Sequence, residues 1–367
     1  MSYKYTHFIP ENTAPKGAKR IGVYRKNGDK TERVCGIPLG RLALPNLGTK
    51  KYSVGVLSDT HTNTYSNAQD SYDDLERAIG WLSAHADMTC ISGDLANLRY
   101  DYDGGLQKHK EIVDANKGNM QVYEIAGNHE HWDTNAAVIA LTDAEIKTYT
   151  GHPLYYTVSN QPTDENNRNY YSSIVGEDVY IMCGYIANQQ FNDTTIQWLY
   201  ETLEANRNKR CFLFVHAPID DSQHCGDALN VITWDGIGSY KTVFISLLRH
   251  YHNVIWFHGH THAMLEMQAY LQGLNPPLPA NYDFTDGVHS IHIPAVAVSR
   301  DISSGSRVDK VETSQGYLMD VYENYIVLKG RDFVKGAFLP IAHYCLDTTL
   351  QTVEANTFTD GTGIIVT

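Results

Sequence analysis

The sequence predicts a layered α/β domain, and three observations carry that prediction. Short apolar runs such as "YSVGVLSD", "MTCISGD" and "CFLFVHAP" read as buried strands. Segments with apolar residues near helical spacing lie between them, as in alternating strand–helix architectures. Polar residues gather where each apolar run stops, at the carboxyl edge where α/β sheets place ligand and catalytic groups.

Residues 1–50 are polar and rich in turn formers. Within them "RIGVYRKNGDKTERVCGI" reads as two strands about the Asn27-Gly28 turn, a hairpin signal, and "LALPNLGTKK" as a linker. From Lys51 the texture changes. After "YSVGVLSD", the stretch "SYDDLERAIGWLSAHA" sets Leu75, Ile79 and Leu82 near helical spacing, with Ser71 and Asp74 in capping-box-like positions. "MTCISGD" is a second strand, "YDGGLQKHKEIVDANKG" a helix candidate and "MQVYEIAGNHE" a third strand. The strand "VYIMCGY" follows, then a helix at "TTIQWLYETLEANRNK" and the strand "CFLFVHAP". A helix at "SYKTVFISLLRHYH" and the strand "NVIWFHGHTH" complete the alternation. Beyond about Ser299 the pattern turns all-β in "GYLMDVYENYIVLKGRDF" and "GAFLPIAHYCL". The expected organisation is an N-terminal hairpin and linker over 1–50, a central domain over 51–300, and a β-rich appendage over 301–367 covering one side of it.

With 42% hydrophobic and 19% charged residues, the 367-residue chain has the composition of a globular protein with a sizeable core. Its 29 Lys and Arg against 42 Asp and Glu leave a net charge of −13, which disfavours broad binding to nucleic acid or anionic membranes. A bound metal would still attract a phosphate locally. The six cysteines show no CxxC pair, and Cys90, Cys183 and Cys211 sit in apolar runs expected to bury free thiols. No apolar signal core and no membrane-length apolar run is present, so the expectation is a cytoplasmic protein.

The strand ends supply the candidate chemistry. "LSDTH" contributes Asp59 and His61, "SGDLAN" Asp94, "AGNHEHWD" Asn128 and His129, "FVHAP" His216, and "HGHTH" His260 and His262. Singly, each has an ordinary explanation: an aspartate capping a loop, an asparagine beside glycine in a turn, a hydrogen-bonded histidine. Together the blocks D-x-H, G-D, G-N-H-[DE], H and G-H-x-H, in this order, resemble the calcineurin-like metallophosphoesterases. The resemblance spans a little over half of the chain, from Asp59 to His262. It implies a four-layer β-sandwich flanked by helices, with the N- and C-terminal β segments as appendages. It also implies two metal ions, one held by Asp59, His61, Asp94 and His262, the other by Asp94 as the bridge with Asn128, His216 and His260. A bridging hydroxide would be the nucleophile. His129 would protonate the leaving oxygen or stabilise charge there, and Glu130 would orient His129.

The donor chemistry agrees: carboxylate and imidazole without thiolate suit Mn, Fe or Zn. Two such ions about 3.5–4 Å apart clamp the attacking and leaving oxygens of a phosphoryl displacement. His258 falls outside G-H-x-H and is expected to be a neighbour of the site, with Gly259 turning the chain between them. His131, Trp132, Asp133 and His224 lie in polar loops near the blocks as candidate substrate contacts. Asn97 stands where purple acid phosphatases carry an iron-binding tyrosine, which sets this chain apart from that subgroup. The expected activity is hydrolysis of a small phosphomonoester or phosphodiester. The alternative is a metal-binding docking module of a larger assembly such as a phage particle, since the β tail resembles appendages of some phage-borne or bacterial members. A nuclease is disfavoured by the acidic balance. All seven ligand positions and His129 are kept, which favours the enzyme.

Overall fold

A computed structural model of the chain describes residues 46–63, 68–96, 104–130, 170–185, 189–219, 236–267, 289–301 and 312–350, with shorter stretches at 6–7, 20–27, 30–38, 308–310, 353–355, 357–360 and 364–365. In chain order, β1 (Thr6–His7) is followed by the antiparallel hairpin β2 (Arg20–Asn27) and β3 (Lys30–Pro38). That pairing places the expected hairpin about the Asn27-Gly28 segment. β4 (Tyr52–Leu57), α1 (Ala68–Ser83), β5 (Met88–Ser92), α2 (Gly104–Asn116) and β6 (Gln121–Ile125) follow. Next come β7 (Tyr170–Val175), β8 (Asp178–Cys183), α3 (Asp193–Ala205), β9 (Cys211–Val215), α4 (Lys241–His250), β10 (Val254–His258) and β11 (His289–His292). The short pair β12 (Ser299–Asp301) and β13 (Val308–Lys310) precedes β14 (Gln315–Val321), β15 (Tyr325–Asp332) and β16 (Ala337–Asp347).

The long strands form two sheets. One has the order β1-β16-β15-β14-β4-β5-β6, the other β11-β10-β9-β8-β7. Strands β4, β5 and β6 are parallel, with Val54 beside Met88 and Leu57 beside Ile91. Strands β8 to β11 are parallel too. Alternation sorts the side chains into layers. Val54, Val56, Cys90 and Ile125 of the first sheet meet Tyr180, Met182, Phe212, Phe214 and Phe257 of the second in the core between them. Phe214 and Phe257 stack there, with ring centres 4.9 Å apart. The outer face of the first sheet packs Leu57 and Ile91 against Leu75, Ile79 and Leu82 of α1 and Val113 of α2. The outer face of the second packs Ile181, Leu213 and Trp256 against Leu199 and Leu203 of α3 and Phe244 and Leu247 of α4. Four layers result, helix–sheet–sheet–helix, as expected.

The structure departs from the sequence expectations in three places. The strands after Ser299 do not form a separate cover: β14 pairs antiparallel with β4, Tyr317 beside Val56, so β14 to β16 extend the central sheet itself. Strands β7 and β11 at the edges of the second sheet were not anticipated. Helix α1 is helical from Ala68, which puts Ser71 and Asp74 inside it rather than at a capping box: Ser71 bonds the Ala68 carbonyl and Asp74 accepts from Arg77. A reciprocal capping box does open α3, between Asn192 and Thr195. Cys90, Cys183 and Cys211 are buried free thiols, joined by Cys345. Among the described residues no helix is long and apolar enough to cross a membrane.

Candidate metal centre

Because β4, β5 and β6 run parallel, Asp59, Asp94 and Asn128 emerge at one edge of the first sheet. The parallel pair β9 and β10 delivers His216, His260 and His262 at the same end of the second sheet. The two edges meet: His216 Nε2 lies 3.2 Å from Asp94 Oδ2, and the backbone N–H of His260 donates to Asp59 Oδ2 at 3.0 Å.

So close an approach leaves no room for side chains at two glycines. A Cβ on Gly127 would collide with Asp94, and one on Gly259 with Ser58 and Asp59. Gly259 is therefore demanded by crowding. The turn expected of it is made by the histidines that follow, since His260 and His262 have φ of 69° and 57°. Asp59 (52°), His61 (40°) and Asp94 (50°) share this left-handed conformation. For non-glycine residues it costs roughly 1–3 kcal/mol each and clusters at functional sites. Five of the seven expected ligands carry that strain.

Hydrogen bonds fix the orientation of the donors. His216 Nδ1 lies 2.6 Å from the Ser92 carbonyl and His262 Nδ1 2.9 Å from the Val298 carbonyl. A carbonyl only accepts, so both rings carry a proton at Nδ1. In their neutral form, Nε2 is then a lone pair facing the site. His262 Nε2 stands 3.0 Å from Asp59 Oδ1 and 2.9 Å from His61 Nε2. The backbone N–H of His129 donates to Asp94 Oδ1 at 3.0 Å, which leaves Oδ2 directed between His216 and His61, 3.2 and 3.5 Å away. His260 Nδ1 is 3.0 Å from Asn128 Oδ1.

Where the Nε2 of a neutral His216 or His262 faces Asp94 Oδ2 or Asp59 Oδ1, acceptor meets acceptor, and a proton or a metal ion between them would relieve the clash. Asp59 Oδ1, Asp94 Oδ2 and His216 Nε2 are buried and form no hydrogen bond among the described residues. Burial opposes ionisation of Asp59 and Asp94, yet the surrounding histidines outweigh it and hold both carboxyls well below the usual carboxylate range. Burial also disfavours a charged His216, but Asp94 and Asp59 push it up to about 9. The donors fall into two sets able to hold a metal ion, Asp59–His61–Asp94–His262 and Asp94–His216–His260, each with its ligand atoms within 4.8 Å of one another. Asp94 belongs to both.

His129 lies beside these sets rather than in them. Its ring meets His61 edge-on at 4.7 Å, its Nε2 is 3.9 Å from Asp94 Oδ2, and its side chain is 15% exposed, against 1% for Asp94. Burial, opposed by Asp94, lowers His129 to about 4. Glu130 does not orient His129 by the contact expected of it. Its Oε1 accepts from Ala96 N–H (2.9 Å) and its Oε2 from Gly127 N–H (2.7 Å), tying the loop after β6 to the loop after β5. Burial first, and then Asp94, raise its carboxyl to about 8. His258 is fully buried beside Trp256 and His292, outside both donor sets. Asn97, His131, Trp132, Asp133 and His224 lie outside the described residues. Sequence reasoning missed His109, Glu124 and His292, all fully buried close to the site. The signal for His292 was there, a histidine ending the short strand "HSIH".

The profile of calcineurin-like phosphoesterases matches residues 52–264, more than half of the chain. No curated protein matches. Among solved structures, the purple acid phosphatase PPD1 from yellow lupin (Lupinus luteus) seeds superposes with a TM-score of 0.51 at 13% identity, over 84% of this chain and 56% of that one. The chain thus spans little more than half of that relative, and the likeness is one of fold. GAP50, the anchor in the inner membrane complex of Plasmodium, gives 0.46 at 13% identity over 86% and 93% of the two chains. Vps29 from Entamoeba histolytica gives 0.32 at 11% over 80% and 98%. With the family profile spanning the motif-bearing region, the chain belongs to the calcineurin-like phosphoesterase family.

Proposed function

We propose that this chain hydrolyses a phosphomonoester or phosphodiester at a dinuclear metal centre. The observation that supports this reading best is the pair of donor sets sharing Asp94, in which the buried Asp59 Oδ1, Asp94 Oδ2 and His216 Nε2 form no hydrogen bond among the described residues. Asp59, His61, Asp94 and His262 would hold one ion; Asp94, Asn128, His216 and His260 the other. Two such ions, Mn, Fe or Zn by donor type, supply Lewis acidity and activate water for attack on phosphorus.

The protein's own part is positioning and proton handling. Asp94 keeps Oδ2 available because Oδ1 is occupied by the His129 N–H. His216 and His262 keep Nε2 available because Nδ1 is committed to a carbonyl. His129, more exposed than Asp94, would meet the leaving oxygen and donate a hydrogen bond or a proton to it. Glu130 would hold the loops carrying Asp94 and His129 at a fixed separation.

The test is a metal count and an assay on Mn²⁺-loaded protein with an aryl phosphate and a bis-aryl phosphate. Two ions per chain and turnover that disappears in Asp94→Asn are expected. Absence of bound metal, or turnover unchanged in Asp94→Asn, would sink the proposal. Two bound ions without turnover on any ester would favour the docking module instead.

A further inference from the structure

Two of the ligand loops share a construction that the ligand roles do not explain. Each is a ligand–Thr–ligand triplet, Asp59-Thr60-His61 and His260-Thr261-His262. In both, the two outer residues have positive φ, and the central threonine is buried at 0% and 1% exposure. Each threonine hydroxyl touches a buried histidine from a distant part of the chain. Thr60 Oγ1 is 3.2 Å from His109 Nδ1, on α2, and Thr261 Oγ1 bonds His292 Nε2, on β11.

Thr60 is held on two sides: its hydroxyl donates to the Leu95 carbonyl at 2.8 Å and also meets the Nδ1 face of His109. The other face of that ring, Nε2, sits 2.8 Å from Glu124 Oε1, with both groups fully buried. A chain Glu124–His109–Thr60 therefore runs from β6 through α2 to the residue between two ligands. Thr261 is tied on a second side as well, accepting from the Ala263 N–H at 3.2 Å.

We propose that Thr60 and Thr261 are positioning residues for the metal centre. The buried histidines His109 and His292 clamp them by their hydroxyls and so hold the flanking ligands in the left-handed conformation the site requires. This rests on the dinuclear reading above. It adds an asymmetry. Thr60 lies between two ligands of the same donor set, whereas Thr261 lies between His260 and His262, one from each set. Loosening Thr60 affects one ion. Loosening Thr261 affects both.

The experiment is a Mn²⁺ titration of metal-free protein, read by calorimetry and by the electron paramagnetic resonance of the coupled Mn²⁺ pair. Variants are Thr60→Val, Thr261→Val and their serine counterparts. Outer-shell partners of metal ligands typically contribute about 10–100-fold in affinity. Thr60→Val is expected to weaken one of two binding steps by about that factor, and Thr261→Val both. Thr60→Ser and Thr261→Ser, which keep the hydroxyl, should bind like wild type. His109→Gln and His292→Gln break the clamps without altering the triplets, and should repeat the one-step and two-step patterns. They decide the matter if a valine variant does not fold. Wild-type binding in both valine variants and both glutamine variants would overturn the proposal while leaving the dinuclear reading intact. So would serine variants as weak as the valine ones. A wild-type protein that binds no Mn²⁺, Zn²⁺ or Fe²⁺ would overturn both.

Discussion

The parallel strands end in two very different clusters of buried charge. At the amino-terminal end of the second sheet, Arg210 makes a bidentate pair with Asp178, its Nε and Nη2 at 2.9 and 2.8 Å from the two carboxylate oxygens. Its Nη1 is shared among the carbonyls of Tyr322 and Glu323 and the hydroxyl of Thr348, and Tyr52 donates to Asp178 at 2.6 Å. Donors match acceptors throughout that cluster. At the carboxyl-terminal end, Asp59, Asp94 and His216 are equally buried but turn acceptors toward one another. One is complete as protein, and the other presents groups that could hold a metal ion. Burial of charge alone therefore says little about function; how the donors and acceptors balance says much more.

That contrast can be broken in order of expected effect. Asp94→Asn removes the shared ligand. Outer-shell changes already cost about 10–100-fold, so its turnover on an aryl phosphate should fall by more than about 100-fold, with metal content falling alongside. His260→Ala and His262→Ala should likewise lose metal and activity, whereas His258→Ala should lose far less; equal losses would place the ligand boundary wrongly. At the other end, Arg210→Met should leave Asp178 buried without its partner. About 3–5 kcal/mol of stability should be lost in urea unfolding, with metal stoichiometry in the folded fraction unchanged. Chelation should separate the two ends again. EDTA should lower the Tm of the metal-loaded wild type and of Arg210→Met, removing about 2.7 kcal/mol of linked stability for each ion whose metal stood at 100 times its Kd. It should leave Asp94→Asn unmoved.

The smallest effect concerns a third, intermediate charge. Asp74 on α1 is nearly buried, with a single half-exposed partner, Arg77, at 2.9 Å. Burial, only partly offset by Arg77, raises its carboxyl to about 7. A raised carboxyl binds its proton more tightly in the folded state, so its contribution to stability falls as pH rises from about 4 toward 7 and is level above that. Asp74→Asn should therefore flatten the pH dependence of the urea midpoint between pH 4 and pH 7. An unaltered slope would show that Asp74 is not the group responsible.

Much of this was legible in the sequence, and what was not has physical reasons. The strand ends of "LSDTH", "SGDLAN", "GNHE", "FVHAP" and "HGHTH" could be found because apolar runs that stop on polar residues are local signals. The structure brings those residues together at one edge. The membership of β14 in the central sheet was hidden, because an alternating strand pattern does not name its partner, and Val56 and Tyr317 are far apart in the chain. The resemblance implies that Glu130 orients His129, but its carboxylate bonds backbone N–H groups, which a side-chain motif does not name. His109 and His292 escaped notice for a related reason. Their partners are threonine hydroxyls, whose roles appear only once helix and strand are packed.

The pairing of β4 with β14 also bears on how the protein is made. Ser53, at the start of the strand that leads to Asp59, donates to Asp320, 267 residues further on. At a synthesis rate of roughly 5–20 residues per second, the first strand of the site waits about 10–50 s on the ribosome before that neighbour exists. Until then one edge of β4 is open to pairing with other chains. The earliest motif to be translated is thus among the last to be secured. A folding helper that shields this edge during translation should raise the yield of active protein more than one that acts after release.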